Sequence, residues 1–138
     1  MKLHYTVDGD DFTRAGETSS KVKKTLNQLG FAPGVVKKVA IAMYEGEINM
    51  VIHANGGTID VDISPEEIVI IMQDVGPGIP DIEKAMQEGF STADHSVREL
   101  GFGAGMGLPN MKRYSDEMTI DTEVGKGTCV KLVVKAKE

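Results

Sequence analysis

Aromatic side chains are scarce in this sequence, and tryptophan is absent. Phenylalanine and tyrosine together make up 5% of the 138 residues, which leaves few platforms on which nucleic-acid bases could stack. Acidic residues outnumber basic ones by 21 to 15, for a formal net charge of -6. Because an acidic surface repels phosphate backbones, we expect no direct binding of nucleic acid.

Cysteine and long apolar runs are also nearly missing. The one cysteine, Cys129, can form neither an internal disulfide nor a Cys-based zinc site. Apolar runs such as Ile68–Met72 are far shorter than the roughly 20 residues that cross a bilayer. Residues 1–11 lack the apolar core of about 7–15 residues that a secretion signal needs. We therefore expect a cytoplasmic protein with no membrane contact.

Glycine, by contrast, is abundant. It accounts for 16 of the 138 residues, about 12% against a typical value of about 7%. Seven of the 16 lie between Gly76 and Gly107. The chain length suits one domain with a buried core, so we expect a single domain over residues 1–138. The glycine cluster then needs a functional explanation.

Apolar periodicity predicts the order of strands and helices. Alternation predicts strands near residues 3–7, 59–64, 118–124 and 130–134, and the continuous apolar run at 68–72 predicts an inner strand. Steps of three and four predict helices near 11–29 and 33–53, and shorter helices are expected near 81–88 and 106–114. Residues 89–107 show no sustained period, and loops of that length are usually functional or mobile. Antiparallel hairpins with helices between them favour an α/β two-layer sandwich, in which helices cover one face of a mixed, mostly antiparallel sheet.

Three polar residues share one stripe of the second predicted helix. Glu45, Asn49 and His53 are spaced by four, which places them on one face. An amide oxygen is a reasonable ligand for Mg²⁺, and an ionised glutamate can accept a proton. A solvated helix face would explain the same stripe. Glu47 lies about 200° from Glu45 around the helix, and we expect it on the surface.

A second candidate site follows the apolar strand at 68–72. Asp74 can accept a hydrogen bond from an amino group of a ligand, and the glycines of Gly76-Pro77-Gly78 permit positive φ and close approach to a flat ring. A tight turn between a strand and a helix is the alternative interpretation.

A third candidate is the alternating glycine segment at residues 101–108, Gly-Phe-Gly-Ala-Gly-Met-Gly-Leu. Backbone N–H groups of such a segment can surround a phosphate at the start of a helix, and a flexible linker is the alternative. The dinucleotide pattern GxGxxG does not occur in it. Gly125-Lys126-Gly127-Thr128 lacks the first glycine of a P-loop and lies between two strands, so we reject that motif.

In this order, the motifs resemble those of the GHKL ATPases, which have the Bergerat fold. The stripe from Glu45 to His53 is similar to the N box, Asp74-x-Gly-x-Gly to the G1 box, residues 101–108 to the G2 box, and Gly127-Thr128 to the Gly-Thr pair of the last hairpin. The resemblance covers about residues 3–136. Within the superfamily it points to the small bacterial anti-sigma factor serine/threonine kinases of the RsbT and RsbW type, through GPGIPDIEKAMQEGFSTA and GMGLPNMKRYSDEMTIDTEVGKGT.

The resemblance implies a role for each of these residues. Asp74 would bind the amino group of adenine with support from Thr128, Asn49 would hold Mg²⁺ against the triphosphate of ATP, and Glu45 would be the catalytic base. No catalytic role is implied for His53. The other implied ATP-binding positions lie where the base or the phosphates approach the backbone: Gly76, Gly78, Gly103, Gly105, Met106, Gly107 and Leu108.

The function implied by the resemblance is that of an ATP-dependent serine/threonine protein kinase. Its substrate would be a STAS-domain antagonist protein in a sigma-factor pathway. The main alternative is a binding switch that captures a sigma factor or activates a phosphatase with little phosphotransfer. A stand-alone ATPase is a third hypothesis. Glu45 favours the kinase, because a pure binding protein needs no base. Such kinases often dimerise, so the resemblance is also compatible with a homodimer.

Overall fold

The computed structural model describes residues 1–8, 15–53, 56–74, 107–123 and 126–136. The described strands are β1 (Lys2–Asp8), β2 (Gly56–Ile63), β3 (Glu67–Asp74), β4 (Glu117–Glu123) and β5 (Gly127–Lys135). The described helices are α1 (Glu17–Gln28), α2 (Pro33–His53) and α3 (Gly107–Arg113). The helix predicted near residues 81–88 and most of the predicted loop at 89–107 lie outside the described residues.

The five strands form one sheet in the order β1-β2-β3-β5-β4. All four pairings among them are antiparallel. The described part of the sheet therefore contains no parallel pair, although a mixed, mostly antiparallel sheet was expected. Central positions such as Ile68, Ile70 and Leu132 are fully buried against the helices, whereas Asp60 and Lys131 are exposed on the opposite face. The predicted α/β two-layer fold, with helices on one face of the sheet, is confirmed.

The two long helices differ in how well the sequence predicted them. Helix α2 has the predicted bounds, Pro33–His53. Helix α1 begins at Glu17 and not at residue 11, because Gly16 has a left-handed backbone with φ of 91°, which breaks a right-handed helix. Asp10 and Asp11, either of which could cap a helix that begins near residue 11, lie outside the described residues. No helix in the described ranges is long and apolar enough to cross a membrane.

Glu47 is buried, so the predicted surface position is wrong. Its side chain is 2% exposed. Oε2 accepts hydrogen bonds from the backbone N–H groups of Gly16 (2.9 Å) and Thr18 (3.2 Å), and Oε1 accepts one from Ser19 (2.9 Å). The first N–H groups of a helix have no partner within the helix, and Gly16 offers no capping side chain. Glu47 therefore caps α1 from the neighbouring helix.

The spacing of Glu47 on α2 explains its burial. It lies four residues from Met43 and four from Val51, and both are at most 1% exposed, so all three share the buried stripe of the helix. The prediction compared Glu47 only with Glu45 and left out this stripe. A charged residue at a core position of a helix is a signal for a buried polar contact.

Candidate active site

The carboxylate of Asp74 is fixed at the end of β3 by the neighbouring strand. Its Oδ1 accepts a 2.7 Å hydrogen bond from the backbone N–H of Thr128 on β5. Its Oδ2 accepts none from the described residues. Burial raises the pKa of the Asp74 carboxyl, and the hydrogen bond from Thr128 opposes that rise. Among the described residues, one oxygen of this half-buried, oriented carboxylate therefore has no hydrogen-bond donor.

Close packing of β5 on β3 makes this contact possible. Gly127 has a φ of 132°, and a Cβ there would lie 2.5 Å from the carbonyl oxygen of Asp74 and 3.1 Å from its Oδ1. The hydroxyl of Thr128 is engaged elsewhere, 2.9 Å from Oγ1 of Thr122. The structure thus places Thr128 beside Asp74 through a backbone contact, and the predicted support of adenine binding by Thr128 stays a prediction.

Glu45 and Asn49 of α2 both face α3. Nδ2 of Asn110 donates a 3.3 Å hydrogen bond to Oε1 of Glu45, and Nδ2 of Asn49 lies 3.9 Å from Sδ of Met111. Burial raises the pKa of the Glu45 carboxyl, and the Asn110 hydrogen bond lowers it in part. Glu45 and Asn49 are therefore half-buried and not part of a fully solvated face, whereas the side chain of His53 lies outside the described part of the structure.

Gly46 allows α2 to approach both β3 and α3. A Cβ on Gly46 would overlap the side chain of Met72 and lie 3.2 Å from Cε of Met111. Met72 and Asp74 are two residues apart on β3 and so point to the same face of the sheet. Gly46 thus lets the helix that carries Glu45 and Asn49 pack on the strand that ends at Asp74.

For the other predicted site positions, the structure gives only a place in an element or no description. Gly107 is the first residue of α3, and Leu108 is 8% exposed in the core. His53 is the last residue of α2. The predicted positions outside the described residues are Gly76, Gly78, Gly103, Gly105 and Met106.

Asn110 is a site residue that sequence reasoning missed. No motif pairs it with Glu45, because the two residues are 65 positions apart and meet only through packing of α2 on α3. The buried Leu108 and Met111 show which side of α3 faces the core. That spacing alone could not tell which α2 residue Asn110 would contact.

Asn49 could supply one ligand to a Mg²⁺ ion that is bound to a nucleotide. No group of three or more His, Cys, Asp or Glu side chains suited to a metal is found in the described part of the chain. Oδ1 of Asn49 accepts no hydrogen bond from a described residue and can serve as one ligand. Mg²⁺ commonly takes its other ligands from phosphates and water.

Comparison with known proteins identifies the same type of domain. The family described as histidine kinase-, DNA gyrase B- and HSP90-like ATPase matches residues 34–138. The chain is 33% identical to the serine/threonine-protein kinase RsbT of Bacillus subtilis over 127 residues, which is 89% of this chain and 87% of RsbT. It is 36% identical to the anti-sigma F factor of a Thermoanaerobacter species over 102 residues, which is 70% of this chain and 68% of that protein.

Solved structures show the same fold at lower identity. The RsbU and RsbW domains of a Mycobacterium tuberculosis protein match with a TM-score of 0.65 at 16% identity, over 97% of this chain and 32% of that one. The SiaB–SiaC complex of Pseudomonas aeruginosa matches with a TM-score of 0.64 at 13% identity, over 96% and 88%. The predicted resemblance is confirmed, and the chain belongs to the family of histidine kinase-, DNA gyrase B- and HSP90-like ATPases.

Proposed function

We propose that this protein is an ATP-dependent serine/threonine kinase that phosphorylates a STAS-domain antagonist protein and thereby regulates a sigma-factor pathway. The observation that carries the proposal is the pair of half-buried carboxylates, Asp74 and Glu45, each with one oxygen hydrogen-bonded to the protein. The 33% identity to RsbT, which is named a serine/threonine-protein kinase, supports the same activity.

Asp74 is the proposed contact for adenine. Its Oδ1 is occupied by the N–H of Thr128, so Oδ2 accepts a hydrogen bond from the exocyclic amino group of the base. Gly76 and Gly78 follow directly in the chain and would let the ring approach the backbone. The phosphates would then extend toward the backbone of residues 103–108.

Asn49 is the proposed protein ligand for Mg²⁺. When bound, the ion would neutralise charge on the phosphates of ATP, which is its usual part in phosphoryl transfer. Asn49 lies one helical turn from Glu45 on the same stripe of α2. This spacing would keep the base close to the terminal phosphate.

Glu45 is the proposed general base. Its free Oε2 accepts the proton of a serine or threonine hydroxyl on the partner protein, and the hydroxyl oxygen attacks the γ-phosphorus. The bond from that phosphorus to the β–γ bridging oxygen breaks, and ADP leaves with the electron pair. Phosphoryl transfer depends mainly on positioning and charge stabilisation, so a few fixed groups are sufficient.

A nucleotide-dependent binding switch is the second candidate function. The observation that favours it is the 36% identity to a protein named anti-sigma F factor. In this alternative the ATP-bound protein captures a sigma factor or activates a phosphatase and transfers little phosphate. A cytoplasmic location and a homodimer belong to either proposal.

Labelled ATP distinguishes the two functions. The protein is incubated with Mg²⁺, γ-labelled ATP and each STAS-domain protein encoded in its source genome. A kinase gives phosphoserine or phosphothreonine on one of them, and Glu45→Gln abolishes the label while Glu66→Gln, in an exposed turn, does not. A switch gives a stable complex in ATP with no label above background, and that result would overturn the kinase proposal.

A further inference from the structure

Two consecutive residues of α3 contact two residues that lie one turn apart on α2. Asn110 donates from Nδ2 to Oε1 of Glu45 over 3.3 Å. Met111 lies with its Sδ 3.9 Å from Nδ2 of Asn49. The proposed base and the proposed magnesium ligand are thus both held from the same neighbouring helix.

The position of Asn110 is set by buried packing. Met111 is 1% exposed and Leu108 is 8% exposed, so a buried residue lies on each side of Asn110 in the helix. Gly46 provides the space for Met111, because a Cβ on Gly46 would lie 3.2 Å from its Cε. The buried side chains therefore fix α3 against α2 and hold the amide of Asn110 next to α2, although the side chain of Asn110 is only half-buried.

A glutamate needs such a partner to act as an oriented base. Its side chain has several rotatable bonds, and a half-buried carboxylate is destabilised in its charged form by loss of water. An amide N–H on Oε1 fixes the rotamer and favours the ionised carboxylate, while Oε2 stays available. No other described residue donates a hydrogen bond to Glu45.

We propose that Asn110 is a positioning residue for phosphoryl transfer, which holds Glu45 through Oε1 so that Oε2 faces the incoming hydroxyl. The inference rests on the proposed role of Glu45 as the base. Asn110 acts through Glu45 and not on the nucleotide. Its loss therefore lowers kcat and leaves both the KM for ATP and the affinity for Mg·ATP unchanged.

Three substitutions separate this role from a structural one. Asn110→Ala removes the donor and lowers kcat by about 10- to 100-fold, the range that a misplaced reacting group costs. Asn110→Asp keeps the shape but places a second carboxylate beside Glu45, and kcat falls further. Asn110→Gln keeps the amide donor on a longer stem and recovers part of the rate.

Asn27→Asp is the matched control, because Asn27 is exposed on α1 and undergoes the same change of charge. The measurements are kcat and KM for ATP with the STAS-domain protein that the wild type labels, the Kd for Mg·ATP by calorimetry, and the melting temperature. The side-chain amide signal of Asn110 in a nitrogen-15 NMR spectrum should also shift in Glu45→Ala, which tests the contact without catalysis.

Two results would overturn the inference. The first is an Asn110→Ala variant with kcat within twofold of the wild type. The second is a loss of rate matched by an equal loss of Mg·ATP affinity, which would show a structural role. Failure of the proposed function is different in kind, since the wild type itself would then transfer no phosphate, and the positioning role would be rejected with it.

Discussion

The backbone N–H of Thr128 and Oδ1 of Asp74 are joined by a 2.7 Å hydrogen bond across the two central strands, β5 and β3. Antiparallel pairing places Gln73 opposite Cys129, so Asp74, the last residue of β3, lies beside the first residues of β5. The carboxylate is therefore oriented by the sheet itself before any ligand binds. Preorganised acceptors of this kind lower the cost of binding.

Asp74→Asn should weaken Mg·ATP binding without unfolding the protein. The asparagine oxygen can still accept from Thr128, but its amide N–H₂ would meet the amino group of adenine, donor against donor. An unmatched polar group costs about 1–3 kcal/mol, which is about 5- to 150-fold in Kd. Calorimetry measures this loss. Asp62→Asn, on an exposed position of β2, is the control, and equal affinities for the two variants would refute the adenine contact.

Glu47→Ala should destabilise the fold strongly. It leaves three N–H donors of the first turn of α1 without their acceptor, two of these hydrogen bonds being buried. Each such loss costs about 1–3 kcal/mol, so we expect a fall in the free energy of unfolding of about 3 kcal/mol or more. Urea denaturation measures it. Glu66→Ala, in an exposed turn, should change the value by less than about 0.5 kcal/mol, and a similarly small effect at Glu47 would contradict the capping role.

Glu45→Gln should stabilise the protein at neutral pH. Burial raises the pKa of this carboxyl in the folded state, so its contribution to stability is fully present below its unfolded pKa and is lost as pH rises through the folded pKa. Glutamine is uncharged at every pH and can still accept from Asn110. Melting temperatures should therefore favour the variant at pH 7, with a difference that shrinks toward pH of about 4. A less stable variant at pH 7 would show that the charge is well compensated.

Gly46→Ala should destabilise the protein, although alanine is the better helix former by about 1 kcal/mol. The added methyl group would overlap Sδ and Cε at the flexible end of Met72. Because Met72 is 3% exposed, this end has little room to move aside, and overpacking of this kind costs about 1–3 kcal/mol. Gly34→Ala is the control, because nothing lies within 4 Å of a Cβ there.

The same overlap predicts coupling between the two positions. Met72→Ala opens space beside Gly46, so the double variant should be more stable than the sum of the single changes predicts by at least about 0.5 kcal/mol. Chemical denaturation of all four proteins gives this coupling energy. Additive changes would mean that Met72 moves aside freely.

The sequence was most informative where one local signal determines one local structure. Pro33 and the apolar spacing after it predicted α2 with its correct bounds, and the apolar patterns of the strands predicted both hairpins. The start of α1 was missed because Gly16 adopts positive φ, which a periodic pattern does not reveal. Glu47 was misplaced because its carboxylate is stabilised by the backbone of a different helix.

In the candidate site, too, residues marked by a motif were predicted and a contact between distant segments was not. The resemblance assigned Asp74 and Thr128 to the same adenine site, and in the structure the two residues are in contact. The contact between Asn110 and Glu45 was missed, because it arises from the packing of α3 against the glycine at position 46. Such contacts between distant segments depend on tertiary packing, which local periodicity does not predict.

Phosphate transfer by Glu45→Ala is the most direct test of the proposed site. The wild type and the variant are compared with γ-labelled ATP and a STAS-domain partner, and the Kd for Mg·ATP is measured on the same preparations. We expect the variant to bind Mg·ATP like the wild type and to transfer phosphate about 100-fold more slowly or worse, the loss typical of a missing general base. Transfer by the variant at the wild-type rate would contradict the assignment of Glu45 as the base.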